Sequence, residues 1–429
     1  MNFRFYYSAL SYSALLIGAA GPMPEANAAE SMYSLGYRLE YSDNLRLAES
    51  NKQSGLISIP TFAYDLQHRS VNWDADLLAD LRYEDYVDNT FGDRWTGVAD
   101  GTLTWYIVPQ RFTWVTTDYF RQVVISTTQP NNPTNQQIVN TFSTGPDVQF
   151  RLNPVTDIAA EYRFTDIYEE LTNNDSNRNN VAIRLRHRRT PLKTVSLNYE
   201  FSDVDFDDSQ NIDFKRHDYF LGYESKGART VLNIDLGASR FNRTGARDLD
   251  GRLFRANTTY RLSRLSSAAL TLQDLMLETG YVRATSGILA DIASTAGNFA
   301  TTAIYRERMA NLSYSNQGRV LTLSTSIYGL RREYIDNLNL NRRLVGTSLQ
   351  VDFDMSATTR MTLQGYFQDI NYTSLGRIDK DSFLSLRYQQ RLSSTLYISA
   401  EFRRLTRDSS IPGASYVENR LAASIRYKK

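Results

Sequence analysis

Apolar and polar residues alternate with a period of two along most of this chain. In the last stretch, Val417, Leu421, Ala423, Ile425 and Tyr427 alternate with Glu418, Arg420, Ser424, Arg426 and Lys428. A side-chain period of two is the signature of an extended strand with unlike faces. The pattern recurs in Val71, Trp73, Ala75, Leu77, Ala79, Leu81 and Tyr83 against Asn72, Asp74, Asp76, Asp80, Arg82 and Glu84. It recurs again in Leu396–Arg403, Val345–Met355, Val181–Arg188 and Val195–Phe201. A soluble core does not accept three Asp on one buried face without partners. The wall of a transmembrane β-barrel does, with lipid on the apolar side and a hydrated lumen on the other. The chain is therefore expected to be all-β, an antiparallel up-and-down transmembrane barrel of about 20 strands, with 18 the next choice. Its first strand is expected at Met32–Tyr41.

Connections alternate in length. Short turns are expected at Val108–Gln110, Asn153–Val155, Thr190–Leu192, Ser225–Gly227, Asn316–Gly318, Ser356–Thr358 and Ser393–Ser394. Longer polar loops are expected at Asp43–Ser54, Gln129–Gln137, Thr172–Asn179, Thr244–Asp250, Gly280–Ala300 and Asn337–Asn341. This asymmetry places short turns and both termini in the periplasm and long loops outside. Within Gly280–Ala300, Ile288–Ala293 form an apolar, helix-like patch that either folds inward as a constriction or packs across the outer rim. Two stretches resist the alternation: Leu56–Leu66 carries Pro60, and Gln273-Asp274 interrupts the run from Ala268 to Leu277. A bulge, an irregular strand or a shifted boundary is the expected remedy at each.

Composition agrees with this reading. The 28 Tyr and 20 Phe against 10 Pro suit strands with interfacial aromatic girdles. Trp73, Trp95, Trp105 and Trp114 fall near strand ends, where amphipathic rings settle at a membrane interface. No apolar run is long enough for a transmembrane helix. Residues 1–28 read as a cleavable signal peptide, with Arg4, the apolar Ala14–Ile17 and the small-x-small Ala26-Asn27-Ala28. Residues 29–429 then form a single outer-membrane barrel without an N-terminal plug, which disfavours a plugged, energy-coupled receptor. The absence of Cys excludes a disulfide framework and a lipid-anchoring thiol. A net charge of +1 provides no basic excess for nucleic acid.

Tyr37-Arg38-Leu39-Glu40-Tyr41-Ser42-Asp43-Asn44-Leu45-Arg46-Leu47 resembles the first hairpin of the β-barrel porin-2 family. Ser54–Pro60 is similar to that family's second strand, although Thr61 follows the proline where the family has glycine. The resemblance covers about 25 residues. It implies an outer-membrane conduit for a secreted exopolysaccharide of a biofilm matrix, working with a periplasmic export lipoprotein.

The inward face carries the candidate chemistry. The alternation turns Arg184, Arg186, Arg188, Arg387, Arg391, Arg403, Arg420 and Arg426 toward the lumen, with Asp74, Asp76, Asp80, Asp100, Asp352 and Asp354. Tyr106, Tyr328, Tyr366 and Tyr397 offer sugar-stacking faces on the same wall. One reading is a charge-lined path for anionic sugars. The plainer one is Arg–carboxylate pairing between neighbouring strands that holds the barrel round, with Arg420 and Arg426 reaching Glu401. The three His, at positions 68, 187 and 217, have no metal-ligand spacing and no nucleophile beside them. No cofactor and no enzymatic activity is expected. Expected partners are outer-membrane lipids and lipopolysaccharide, the polysaccharide and its export lipoprotein. The rival functions are a diffusion porin for small solutes and a scaffold barrel that conducts nothing.

Overall fold

The computed structural model describes residues 29–278 and 303–429. The expected signal peptide and the Gly280–Ala300 loop with its apolar patch lie outside the described residues. The strands are β1 (Glu30–Ser42), β2 (Gly55–Arg69), β3 (Trp73–Tyr86), β4 (Arg94–Val108), β5 (Phe112–Val124), β6 (Gln136–Asn153) and β7 (Thr156–Glu169). They continue as β8 (Ser176–Thr190), β9 (Lys193–Phe206), β10 (Phe214–Lys226), β11 (Thr230–Arg243), β12 (Leu249–Arg261), β13 (Ser266–Glu278) and β14 (Ile304–Gln317). The last six are β15 (Leu321–Tyr334), β16 (Arg342–Asp354), β17 (Thr359–Tyr372), β18 (Arg377–Arg391), β19 (Leu396–Ser409) and β20 (Tyr416–Lys428). Each strand pairs antiparallel with its neighbours in the chain, and β20 pairs with β1 from Ser34↔Lys428 to Ser42↔Arg420. The sheet is thus a closed barrel of 20 strands with no free edge.

All short turns lie at the end that carries Glu30 and Lys428, and all long connections lie at the other. The described loops run from four residues (373–376) to twelve (43–54), with further ones at 87–93, 207–213 and 410–415 that the sequence pattern passed over. Neither irregular stretch contains a bulge. Pro60 sits outward within an unbroken β2 register, pairing with Tyr37, and the β2–β3 ladder merely omits Ile59 and Pro60. β13 pairs with β14 without a shift from Ser266 to Glu278, so Gln273 and Asp274 simply face opposite ways. The register shifts that do occur are at turn ends, near Tyr106/Val108, Arg151/Asn153 and Arg188/Thr190. Among the described residues Gly97 is the one strand position with a left-handed backbone, at φ 138°, where a Cβ would meet the Asp80 carbonyl at 2.1 Å.

Two aromatic levels mark the outer wall. Trp73, Trp105 and Trp114 are register partners in one row near the turn end. Trp95 and Tyr83 pair near the loop end, with ring centroids 5.2 Å apart. Ten residues of β4 separate Trp95 from Trp105, about 33 Å along the strand, or about 25 Å along the axis at the usual tilt. That equals the height of an outer-membrane apolar band. Between the two levels the outward residues are mostly apolar and exposed, as with Leu421 at 59% and Ile327 at 62%. No described helix is long and apolar enough to span a membrane.

Candidate functional site

The barrel interior concentrates the polar chemistry, and strand register decides which side chains reach it. Arg184, Arg186 and Arg188 project inward from β8. Arg184 pairs with Glu161 and, at 3.4 Å, with Glu200; Asp157 is shared by Arg186, at 2.6 Å, and Arg188, at 3.8 Å. On the β3–β5 wall, Asp76 binds Arg69 at 2.7 Å, Asp80 binds Arg82 at 2.8 Å, and Asp100 binds Arg121 at 2.9 Å. Asp74 accepts the Tyr106 hydroxyl at 2.8 Å. Asp354 binds Arg360 at 2.6 Å, and Asp352 accepts from Thr362 at 2.7 Å and Gln350 at 2.9 Å. Tyr366 stacks on Phe383, with centroids 5.5 Å apart. Tyr328 packs beside Leu344, Ile370 and Tyr372. Tyr397 and Arg426 are register partners lining an interior cavity of about 350 Å³, and Arg391 lies at the turn-end rim beside the Ala357 carbonyl.

The closure seam holds a denser network than the sequence indicated. Glu40, with its side chain only 3% exposed, accepts from Arg38 at 2.8 Å, Arg420 at 2.7 Å and Arg403. Glu401 is held by Arg38 at 2.9 Å, Arg387 at 3.0 Å and Arg403 at 3.7 Å. Glu418 takes Arg420 at 2.7 Å and the Ser42 hydroxyl at 2.6 Å. The expected reach of Arg420 to Glu401 is therefore replaced by Arg420 to Glu40 and Glu418. Strand β1 inserts its own carboxylate across the seam, nearer than the one on β19. Around the wall Arg pairs with carboxylates two residues away on its own strand, as in Arg82–Asp80 and Arg216–Asp218, and with carboxylates of neighbouring strands, as in Arg121–Asp100 and Arg387–Glu401, an arrangement that a hydrated interior permits.

Exposure changes sharply along the axis. At the turn end, Arg69 and Asp76 are 56% and 48% exposed, whereas toward the loops Arg178 and Glu278 are 4% and 2%. Arg216–Asp218, Arg332–Glu307 and Arg377–Asp379 are buried at the same level. Apolar residues stand inward there as well: Ile57 and Ile59 with Leu45 and Tyr86, and Phe214 and Phe241 with Val204. Inward Ile and Phe conflict with a simple polar-lumen pattern. They are buried because loops and strand ends cover them.

Besides the loop 43–54, whose Leu45 packs on Ile57 and Ile59, three segments among the described residues do the covering. The first is the loop 125–135. Tyr372, at the end of β17, donates its hydroxyl to the Thr127 carbonyl at 2.9 Å, and Arg377, at the start of β18, donates to the Thr128 carbonyl at 2.8 Å. β18 lies seven strand positions from β5 around the closed wall, so this loop crosses the lumen. Asn135 fixes its shape, accepting from the Ser126 amide at 2.8 Å and donating to the carbonyls of Ser126 at 2.7 Å and Pro130 at 3.0 Å. Asn132 adds a contact to the Arg46 carbonyl at 3.3 Å. The second is the β13–β14 end, where pairing with β12 stops at Leu253↔Leu275. Beyond it Leu275, Met276, Leu277 and Glu278 are all buried, and Glu278 reaches Arg178 on β8. Burial on both faces means that this end leans into the lumen. The third is the loop 335–341, whose Asp336 reaches Arg243 on β11 at 2.6 Å.

No family model matches the chain, and no curated protein matches it in sequence. The porin-2 resemblance of the first hairpin thus has no family match behind it. Solved structures similar in fold include OccK2 (OpdF) of Pseudomonas aeruginosa, 10% identical over 93% of this chain and 98% of that one, with TM-score 0.39. The ferric enterobactin receptor PfeA of Pseudomonas aeruginosa is 10% identical over 94% of this chain and 82% of its own, with TM-score 0.49. The FrpB iron transporter of Neisseria meningitidis is 7% identical over 92% and 81%, with TM-score 0.47. At such identities the likeness concerns the barrel fold alone.

Proposed function

We propose that this protein is a bacterial outer-membrane channel for passive diffusion of small hydrated solutes, with termini and short turns in the periplasm and the loops outside. One observation carries the reading: the loop 125–135 spans the lumen and docks on Tyr372 and Arg377 of the far wall. A wide charged vestibule leading to a narrowed mouth sorts solutes by size and charge. It also resists threading of a polymer, so the polysaccharide conduit requires the loop to withdraw first. The chain offers no energy-coupling chemistry, and flow follows the solute's own gradient. The paired Arg and carboxylates of the wall keep the passage hydrated without a strong net charge, and ion preference depends on that balance, as where the β8 arginines offset Glu161, Glu200 and Asp157.

Swelling of liposomes containing the refolded protein tests this. Monosaccharides and small ions should enter at rates that fall steeply with solute size. Entry of long oligosaccharides at rates close to those of monosaccharides would favour the polysaccharide conduit. No entry of any solute by a folded, inserted barrel would favour a scaffold.

A further inference from the structure

The outer wall carries a charged feature that permeation does not use. On β13–β16, Asp274, Arg308, Arg331 and Arg343 are consecutive register partners in a single row. All four lie on the outward face, one step beyond Leu272, Ala310, Gly329 and Val345. Arg306 and Glu333 are register partners in the next row. Adjacent strands are about 4.8 Å apart, so three guanidiniums stand side by side, an arrangement that destabilises a sheet unless anions intervene. The carboxylates available are too few. Asp274 serves Arg306 at 2.6 Å and Arg308 at 4.0 Å, and Glu333 serves Arg331 and Arg308. Arg343 pairs with no carboxylate among the described residues. Four arginines thus face two carboxylates on β13–β15; the outward Asp369 of β17, register partner of Val345, stands one step off the row and makes no ion pair with Arg343. The excess is local: on the same outward face of β7–β10, Asp166, Asp203 and Asp205 outnumber Lys215.

Height and shape specify the missing anion. On β15 the outward positions Leu321, Leu323, Thr325, Ile327 and Gly329 precede Arg331. Ten residues of tilted strand from Leu321 to Arg331 rise about 25 Å, the full apolar band, which places the arginines where lipid headgroups begin. Beneath them runs an open groove of about 670 Å³, bordered by Phe254, Leu272, Ala310 and Val345. Gly329 lies in its floor, and a Cβ there would have nothing within 4 Å.

We propose that this patch binds one phosphorylated, multiply acylated glycolipid of the outer leaflet, with phosphate oxygens on Arg308, Arg331 and Arg343 and one acyl chain in the groove above Gly329. Guanidinium forks match phosphate oxygens two at a time, and the groove accepts a flexible chain. The assignment rests on the membrane placement proposed above, so insertion must be read separately, by co-flotation of the protein with liposomes. Native mass spectrometry of the detergent-purified protein after incubation with bisphosphorylated lipid A counts bound lipid. Wild type should retain one molecule, and R331Q/R343Q should retain less than a tenth as much. G329F keeps every charge and should still lose lipid several-fold, because its ring occupies the groove. Single-channel conductance of R331Q/R343Q should match wild type, since these side chains point away from the lumen. Equal retention by wild type and both variants overturns the site. Equal retention of phosphatidylglycerol by wild type overturns the assignment to the glycolipid. Protein that fails to float removes the membrane placement itself, whereas protein that floats but carries no lipid A overturns this proposal alone.

Discussion

Releasing the loop 125–135 should open the channel. Asn135 is 7% exposed and makes three hydrogen bonds that shape the loop; Tyr372 supplies a fourth that docks it on the far wall. A neutral hydrogen bond contributes about 1 kcal/mol net, so N135A/Y372F removes about 4 kcal/mol from the ordered and docked loop relative to one that is both unfolded and undocked. That shifts the docked-to-free ratio by about three orders of magnitude. Phe at 372 keeps the packing against Leu344 and Ile370, so the wall itself should hold. In planar bilayers, wild type should give steady steps of low conductance. The double variant should give larger steps with added flicker, and sugars excluded from wild-type liposomes should enter. Unchanged step size and size cut-off in a variant that still inserts would refute the argument that this loop sets the aperture.

Three further outcomes follow from the same geometry. Replacing Arg184, Arg186 and Arg188 with Ser leaves Glu161, Glu200 and Asp157 without their β8 partners, so the reversal potential in a salt gradient should move toward cation selectivity; an unchanged potential would exclude these side chains from the ion path. Glu40→Gln strips the shared acceptor from Arg38, Arg403 and Arg420 and should destabilise the barrel by about 3 kcal/mol, read from urea unfolding in detergent; a midpoint equal to wild type would show the seam network to be dispensable. Asp175, in the loop 170–175, is pushed up to about 6 by burial, with the Asp207 and Glu169 carboxylates adding to the rise. Its neutral form is the one the fold prefers, so its contribution is fully present below its ordinary value near 4 and is lost as pH rises through 6. Exchange of the Asp207 amide, which donates to the Asp175 backbone carbonyl and so reports on the order of this loop, should be better protected at pH 5 than at pH 7.5 after correction for intrinsic rates, and Asp175→Asn should abolish the difference.

The strands and their two sides were legible because a period of two is read directly from the residues, and one slip would reverse every side chain. Each of the 18 candidates, Arg184 and Asp352 among them, falls on the inward face of its strand for that reason. Their partners were less legible. Glu40 sits more than 360 residues from Glu401 and Arg403, and only closure of β20 on β1 brings them together. The crossing loop left almost no trace, since Tyr372 and Arg377 hold backbone carbonyls that any residue presents. The covered loop end as a whole did leave an indirect signal, the apolar residues at inward loop-end positions such as Ile57, Ile59 and Phe241. Pro60 misled for a local reason: a missing donor costs one rung of the β2–β3 ladder but does not shift the register.

The central claim, a wide turn-end vestibule narrowed at the loop end, is tested most directly by polymer partitioning in single-channel recordings. Neutral polymers of graded size are added to one side of an oriented bilayer at a time. Mid-sized polymers added on the turn side should enter and lower the conductance, while the same polymers added on the loop side should be excluded. Equal effects from both sides, or a loop side that admits the larger polymers, would contradict the account.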